Sequence, residues 1–368
     1  MCLIMGVGKL IIAISVWLGF GEHSWLADQM RHVEWHGWHV MDGVFPVFMF
    51  ISGLSWPFSL AKQRVRGVTN GQLWAKIGKR VLMLFLLGLL CEGILRVDRG
   101  WDCLRIGSVF FRIGVCWAGA ALLSLYFGVK VRLAVAVVLL LGYWGLTANV
   151  VAPDALALAI PENLDAYGRG PYSVVGNISG YVDRCILPGR LRYPGVLDTQ
   201  GTLSTLPAIC FPLFGTIVGE FVRLKKEGLT GGKKALALLA TGLVCVVTGL
   251  MWSTVMPFNR SIWTSSHVVF STGYALILFA VFFWIIDVRG IRVWTLPFRV
   301  IGMNSLLVFL LQRVNGVNLI DGLTSALFSG AVSICTPTAG GVVFAAGYVA
   351  VCWSLLYFLY RKGVFLKA

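Results

Sequence analysis

The run RHVEWHGWHVMDGVFPVFMFISGLSWPFSL, residues 31–60, changes character at Asp42. Before it lie three of the chain's five histidines, His32, His36 and His39, mixed with Trp35, Trp38 and Glu34. After it come eighteen residues without a charge. A helix crosses a bilayer with about 17–25 mostly apolar residues, so the second half reads as a membrane span and the first half as the loop that leads into it. The rest of the chain has the same composition. Its 368 residues are 58% hydrophobic and 13% charged, with a mean hydropathy of +0.82, where soluble domains carry about a quarter charged residues. The apolar runs are long and unbroken rather than alternating, which predicts an all-α polytopic helix bundle and not a β-barrel.

Ten spans are expected, at 3–20, 41–60, 80–96, 108–128, 132–151, 203–223, 235–256, 264–287, 296–313 and 339–360. The stretch 314–338 reads as a re-entrant or interfacial piece. Met1 is followed at once by apolar residues, with no basic n-region or small-residue cleavage motif, so the first segment is read as a retained helix. Ten of the eleven lysines fall in the loops on one side of this arrangement or in the tail YRKGVFLKA, and Lys9 lies in the first span. The positive-inside rule makes that side cytoplasmic, with both termini inside. The net charge of +15 is thereby assigned to topology and lipid headgroups, not to nucleic acid. One membrane domain covering residues 1–368 is expected, with 152–202 folded over its outer side. Cys103, Cys185 and Cys335 fall on that side and leave one disulfide open, unpaired by sequence alone.

Three readings of residues 31–42 compete. In the first it is an interfacial loop, with Trp35 and Trp38 in the aromatic belt. In the second, His32, His36 and His39, at offsets 0, 4 and 7, share a helical face and bind a metal; Gly37 in their midst weakens such a helix. In the third a histidine is catalytic, because imidazole exchanges protons near neutral pH and can carry an acyl group. Polar residues inside apolar runs add candidates, since ionisable groups at membrane depth usually line a cavity. These are Asp42, Arg112, His267, Asn304 and Ser305, with snorkelling to the interface as the alternative for Arg112. Glu92 and Arg96 read as an i, i+4 pair at a helix end.

The order H-x-x-W-x-G-x-x-x-x-D-x-V-F-P-x-F-x-F-I-x-G, met by His32, Trp35, Gly37, Asp42, Phe45, Pro46, Phe48, Phe50 and Gly53, resembles the start of the membrane domain of the heparan-α-glucosaminide N-acetyltransferase family. WDCLRIGSVFFRIGV (101–115), GYVDRCILPGRL (180–191), GTLSTLPAICFPLFGTIVGE (201–220), IWTSSHVVFSTGYALILFAVFFWIIDVRG (262–290) and PFRVIGMNSLLVF (297–309) extend the likeness in order. The family's opening S-L-D-x-x-R-G element is expected just before MCLIMGVGKL, and LDTQGTLS (197–204) replaces its usual D-P-E-G context.

The resemblance implies acetyl transfer across a membrane, from cytoplasmic acetyl-CoA to an amino sugar outside, with no metal. It maps the catalytic histidine onto His32. Asp42, Arg112 and Asn304 are placed with it, Arg112 and Asn304 as oxyanion donors, and Ser305, Arg105 and His267 are placed on the cofactor. The expected setting is a bacterial inner membrane, with lipid, a glycan acceptor and a second copy of the chain as partners. A transporter or flippase of a sugar or lipid-linked glycan is the competing class; the chain shows no duplicated half of the kind such carriers often have.

Overall fold

The computed structural model describes residues 2–95, 104–159, 168, 170–314 and 317–366. Among them the chain is helical, with isolated bridges but no strand. Helices α1 (Gly8–Trp17) and α2 (Trp25–Gln29) precede the long α3 (Val40–Val65). Next come α4 (Asn70–Glu92), α5 (Val109–Tyr126) and α6 (Val129–Asn149). The short α7 (Ala155–Leu158) and α8 (Ile178–Ile186) lie in the long polar excursion. Helices α9 (Thr205–Ala208) and α10 (Cys210–Arg223) form one continuous span, followed by α11 (Gly231–Ser253) and α12 (Ser265–Phe283). The chain closes with α13 (Leu296–Met303), α14 (Ser305–Leu311), α15 (Leu319–Ile334) and α16 (Pro337–Arg361).

Seven of these stretches are long and apolar enough to cross a membrane: α3, α5, α6, Thr205–Arg223, α11, Ser265–Val288 and α16. The α13–α14 pair, bent by 56° at Asn304, makes an eighth if it counts as one span. This is a polytopic membrane helix bundle. The other two expected spans take different forms. The first is a short apolar helix, Met5–Trp17. The third begins ten residues earlier than expected, because Thr69 and Gln72 form a reciprocal cap that starts α4 at Asn70. Its early turns then carry Lys76, Lys79 and Arg80. The 314–338 stretch contains α15, which lies antiparallel against the first half of α16, with Gly347 against Phe328 and Gly340 against Val332.

Small residues set the closest helix pairs, as expected where apolar lipid gives helices no hydrophobic reason to associate. A Cβ on Gly53 would collide with the Pro212 carbonyl, and one on Gly215 with the Phe50 carbonyl, so α3 and α10 meet backbone to backbone. The pairing rises along both helices, from Gly53 beside Pro212 through Gly219 beside the Leu54 carbonyl and Pro57 to Arg223, which donates to the Pro57 carbonyl at 2.6 Å. Helices α3 and α10 therefore run parallel. Helices α11 and α12 are antiparallel, with Gly242 beside Gly273 and Gly249 beside Phe270.

The central core joins Met49, Leu84, Phe110, Ile113, Cys116, Phe211 and Trp263. A second cluster, around Met5, Val300, Ile301, Val308, Tyr348 and Leu356, gathers the two ends of the chain. The Phe110–Phe309 edge contact, at 5.1 Å, links the two.

Candidate active site

Asp42 is the third residue of α3, where a carboxylate meets the positive end of the helix dipole. It is 3% exposed. Its Oδ2 accepts the backbone N–H groups of His39 at 3.0 Å and Val33 at 3.3 Å. Its Oδ1 lies 2.7 Å from His32 Nδ1 and 3.1 Å from Arg260 Nε. The arginine contact is a charge contact rather than an aligned hydrogen bond. A carboxylate only accepts, so the His32–Asp42 contact puts the imidazole proton on Nδ1 and leaves Nε2 as the basic nitrogen. The His32 side chain is 45% exposed while its carboxylate partner is sealed. A base oriented by a buried acid, with its reactive nitrogen accessible, is the arrangement that general-base and nucleophilic catalysis require.

The loop before α3 is pinned rather than helical. The Trp35 indole donates to the Tyr172 carbonyl at 2.8 Å. The Gly37 amide donates to the Phe258 carbonyl at 2.9 Å, and Gly37 has φ 124°, a conformation that a side chain would strain. The Trp38 indole reaches Ser271 Oγ at 3.2 Å and packs edge-on against Phe270 and Tyr274. Trp35, 8% exposed, is thus an internal anchor rather than a belt residue. The three histidines do not share a helical face, because no helix forms over residues 30–39. His32 faces Asp42, His36 faces Asn259 at 3.4 Å, and His39 faces the Arg31 carbonyl at 3.2 Å.

The 256–264 turn closes the other wall. Asn259 Oδ1 accepts the amides of Ser261 and Ile262, and Trp263 has φ 53°, the positive value of a non-glycine residue among the described residues. Strained backbone of this kind tends to gather at functional sites. Burial pushes the Arg260 guanidinium down from its ordinary value, and Asp42 opposes that shift.

Arg112 and His267 flank Trp263, at 4.9 Å from its ring to the guanidinium carbon and 6.0 Å between ring centroids. Arg112 is fully buried. Its Nη2 donates to the Gly201 carbonyl and Ser204 Oγ, while Nε and Nη1 have no hydrogen-bond partner among the described residues. The same is true of both ring nitrogens of the buried His267.

The remaining expected site residues lie elsewhere. Asn304 donates to the Val364 carbonyl and accepts the Leu366 amide, each at 3.0 Å. Its amide, beside Ser305 at the α13–α14 break, therefore holds the C-terminal tail. Arg105 donates to Asp198 from Nε and Nη2, at 2.7 and 2.6 Å, and also to Glu92 and Gln200. Burial alone would lower its guanidinium, but the Asp198 pair outweighs that and raises it. Nearly all its donors are used to lock the 198–200 segment onto the end of α4. Glu92 thus pairs with Arg105 at 3.1 Å; its expected partner Arg96 lies outside the described residues, as does Cys103. Cys185 and Cys335 are free and exposed.

The long polar excursion has its own buried acid. Asp183 accepts the amides of Thr202 at 2.7 Å and Asp198 at 3.3 Å, and burial pushes its carboxyl up to about 7. Arg260, Asp183 and Asp198 were not legible as site residues. Their only signal was position, as charged residues in polar loops between apolar runs.

No protein-family model matches the chain. It is similar to curated heparan-alpha-glucosaminide N-acetyltransferases. The human protein is 27% identical over 354 residues, covering 83% of this chain and 51% of that protein. The mouse protein is 25% identical over 352 residues, covering 83% and 52%. The chain spans about half the length of these relatives. The similarity runs through the same chain as the ordered motifs from His32 to the C-terminal half, and both matched relatives carry the heparan-alpha-glucosaminide N-acetyltransferase name.

Proposed function

We propose that the chain moves an acetyl group from acetyl-CoA on the cytoplasmic side of a bacterial inner membrane to the amino group of a sugar on the other side. The observation that carries this reading is the His32–Asp42 pair, a buried carboxylate fixing an accessible imidazole at 2.7 Å. The names of the relatives supply the reaction class. In the direct route, His32 Nε2 takes the proton of the sugar ammonium, and the freed nitrogen attacks the thioester carbonyl. The attacking nitrogen gives up its second proton to solvent, the tetrahedral oxyanion collapses, the C–S bond breaks, and the departing thiolate takes the proton held by the imidazolium. In the covalent route the acetyl group rests on Nε2 first and the amine then displaces it. Arg112, with two nitrogens free to donate beside Trp263, is our choice of oxyanion donor. His267, on the other side of Trp263, lines the path of the acyl arm. Asn304 drops out of the oxyanion role because its amide is engaged by the tail.

This reading includes the ten-span arrangement with both termini inside. Parallel packing of α3 and α10 supports the α4 crossing in it: with α5 and α6 both spanning, α3 and α10 enter from the same side only if α4 spans as well. The test is thioester consumption by the purified chain in detergent, offered acetyl-CoA and a panel of amino sugars. Acceptor-dependent release of CoA is expected, with a fall of about 10²–10⁴-fold in His32→Ala. Sugar movement with no thioester consumed would replace this reading with a carrier.

A further inference from the structure

Helix α4 buries one stripe: Leu73, Ile77, Leu84, Gly88 and Cys91. Arg80 falls on that stripe, three residues after Ile77 and four before Leu84, the spacing of a core position. Its guanidinium lies over the Trp117 ring of α5, 4.0 Å from the centroid. That ring is 4% exposed and is set at 89° against Trp56 of α3. Three inward arginines have acids: Arg105 has Asp198 and Glu92, Arg132 has Glu220, and Arg260 has Asp42; Arg112, which has none, is held by the Gly201 carbonyl and Ser204 Oγ. Arg80 takes part in none of the ion pairs among the described residues. Its Nε is buried without a hydrogen-bond partner, and so is the indole Nε1 of Trp117. Two neighbouring elements therefore present buried N–H donors, one of them cationic, and no acceptor among the described residues answers either.

Such an arrangement is costly unless something anionic completes it, because a desolvated cation needs a counter-charge and a buried donor needs an acceptor. Stacking on the indole covers one face of the guanidinium and leaves its N–H edge free, the geometry that grips phosphate oxygens in pairs. The position agrees. The Trp74–Tyr126 hydrogen bond, 2.6 Å, sits near the lysine-bearing ends of α4 and α5. Arg80 lies six residues further along α4, about 9 Å at 1.5 Å per residue. Exposed Lys76 and Lys79 stand on the approach.

We propose that Arg80 and the Trp117 indole N–H form a phosphate subsite in the cytoplasmic half of the bundle. The phosphate chemistry stands on these contacts alone; assigning it to the phosphates of CoA rests on the acetyl-transfer reading above, and an anionic lipid headgroup offers the same group. The test uses the full chain carrying His32→Ala, to prevent turnover, in nanodiscs of phosphatidylcholine. It is titrated calorimetrically with CoA and with pyrophosphate, and its thermal midpoint is followed as phosphatidylglycerol is added.

Arg80→Met should weaken CoA binding by about tenfold or more, the scale of a lost charge-assisted contact. Trp117→Phe, which keeps the stack and removes one N–H, should weaken it less. Both variants should fold, since removing an unpaired inward charge relieves a cost. Loss of the phosphatidylglycerol response alone would keep the subsite and assign it to lipid, against the CoA reading. CoA binding and lipid response both unchanged in Arg80→Met would overturn the subsite while leaving acetyl transfer standing. Wild type that responds to neither ligand would overturn it as well.

Discussion

Asp42 holds four groups at once, and that decides what its loss should do. Asp42→Asn keeps the size but puts an amide where the imidazole and the guanidinium present donors. His32 then loses the partner that fixes its tautomer. Acceptor-dependent CoA release should fall by about two to four orders of magnitude, as for other general-base assemblies, while CoA binding measured calorimetrically stays near wild type. Asp183 gives a pH signature of a different kind. Its carboxyl is raised from 3.8 to about 7 in the folded chain, so the folded state holds the proton over that window and the unfolded state does not. Its contribution to stability is full below about 4 and is lost as pH rises through about 7. Thermal midpoints should therefore fall from pH 5 to pH 8 more steeply in wild type than in Asp183→Asn. Equal slopes would mean that the carboxyl is ionised throughout. His32 and Asp42 were legible because they lie in one local stretch whose loop folds back on its own helix. Arg260 was not, because its contact with Asp42 is made by a turn from the far half of the chain. Arg105 was legible through the family resemblance of 101–115 but not as a lock, since Asp198 and Gln200 reach it across the fold.

At the scale of elements, the long apolar runs announced α3, α5, α6, α10, α11, α12 and α16 directly. What blurred the others was charge and backbone. Lys76, Lys79 and Arg80 hide the early turns of α4 from a hydropathy reading, and the break at Asn304 splits one apolar run into α13 and α14. The close pair α3 and α10 yields the firmest prediction here. A Cβ at Gly215 meets the Phe50 carbonyl and the Leu54 amide. Neither is the yielding end of a side chain, so the helices must separate. Gly215→Ala should destabilise by about 1–3 kcal/mol, the usual cost of overpacking a core, and more in Gly215→Leu. Gly232→Ala, at a site with no neighbouring atom to meet, should change little in the same thermal scan.

For the whole molecule, acetyl transfer across a membrane as proposed requires two faces with different tasks. In the proposed reading, the face that carries His32, the 256–264 turn and the Arg105–Asp198 lock is the acceptor side, and the lysine-bearing ends of α3, α4 and α10 form the donor side. Cys185, free and exposed in the 178–186 helix, reports on this directly. An impermeant thiol reagent should label it from outside the cell, whereas a cysteine introduced at Glu227 should be protected until the membrane is opened. The central claim is that the acetyl group itself crosses between these faces. Right-side-out vesicles loaded with labelled acetyl-CoA and bathed in glucosamine should accumulate labelled N-acetylglucosamine in the outer solution, and His32→Ala vesicles should not. Labelled product only when donor and sugar share one compartment, or undiminished product from His32→Ala, would contradict it.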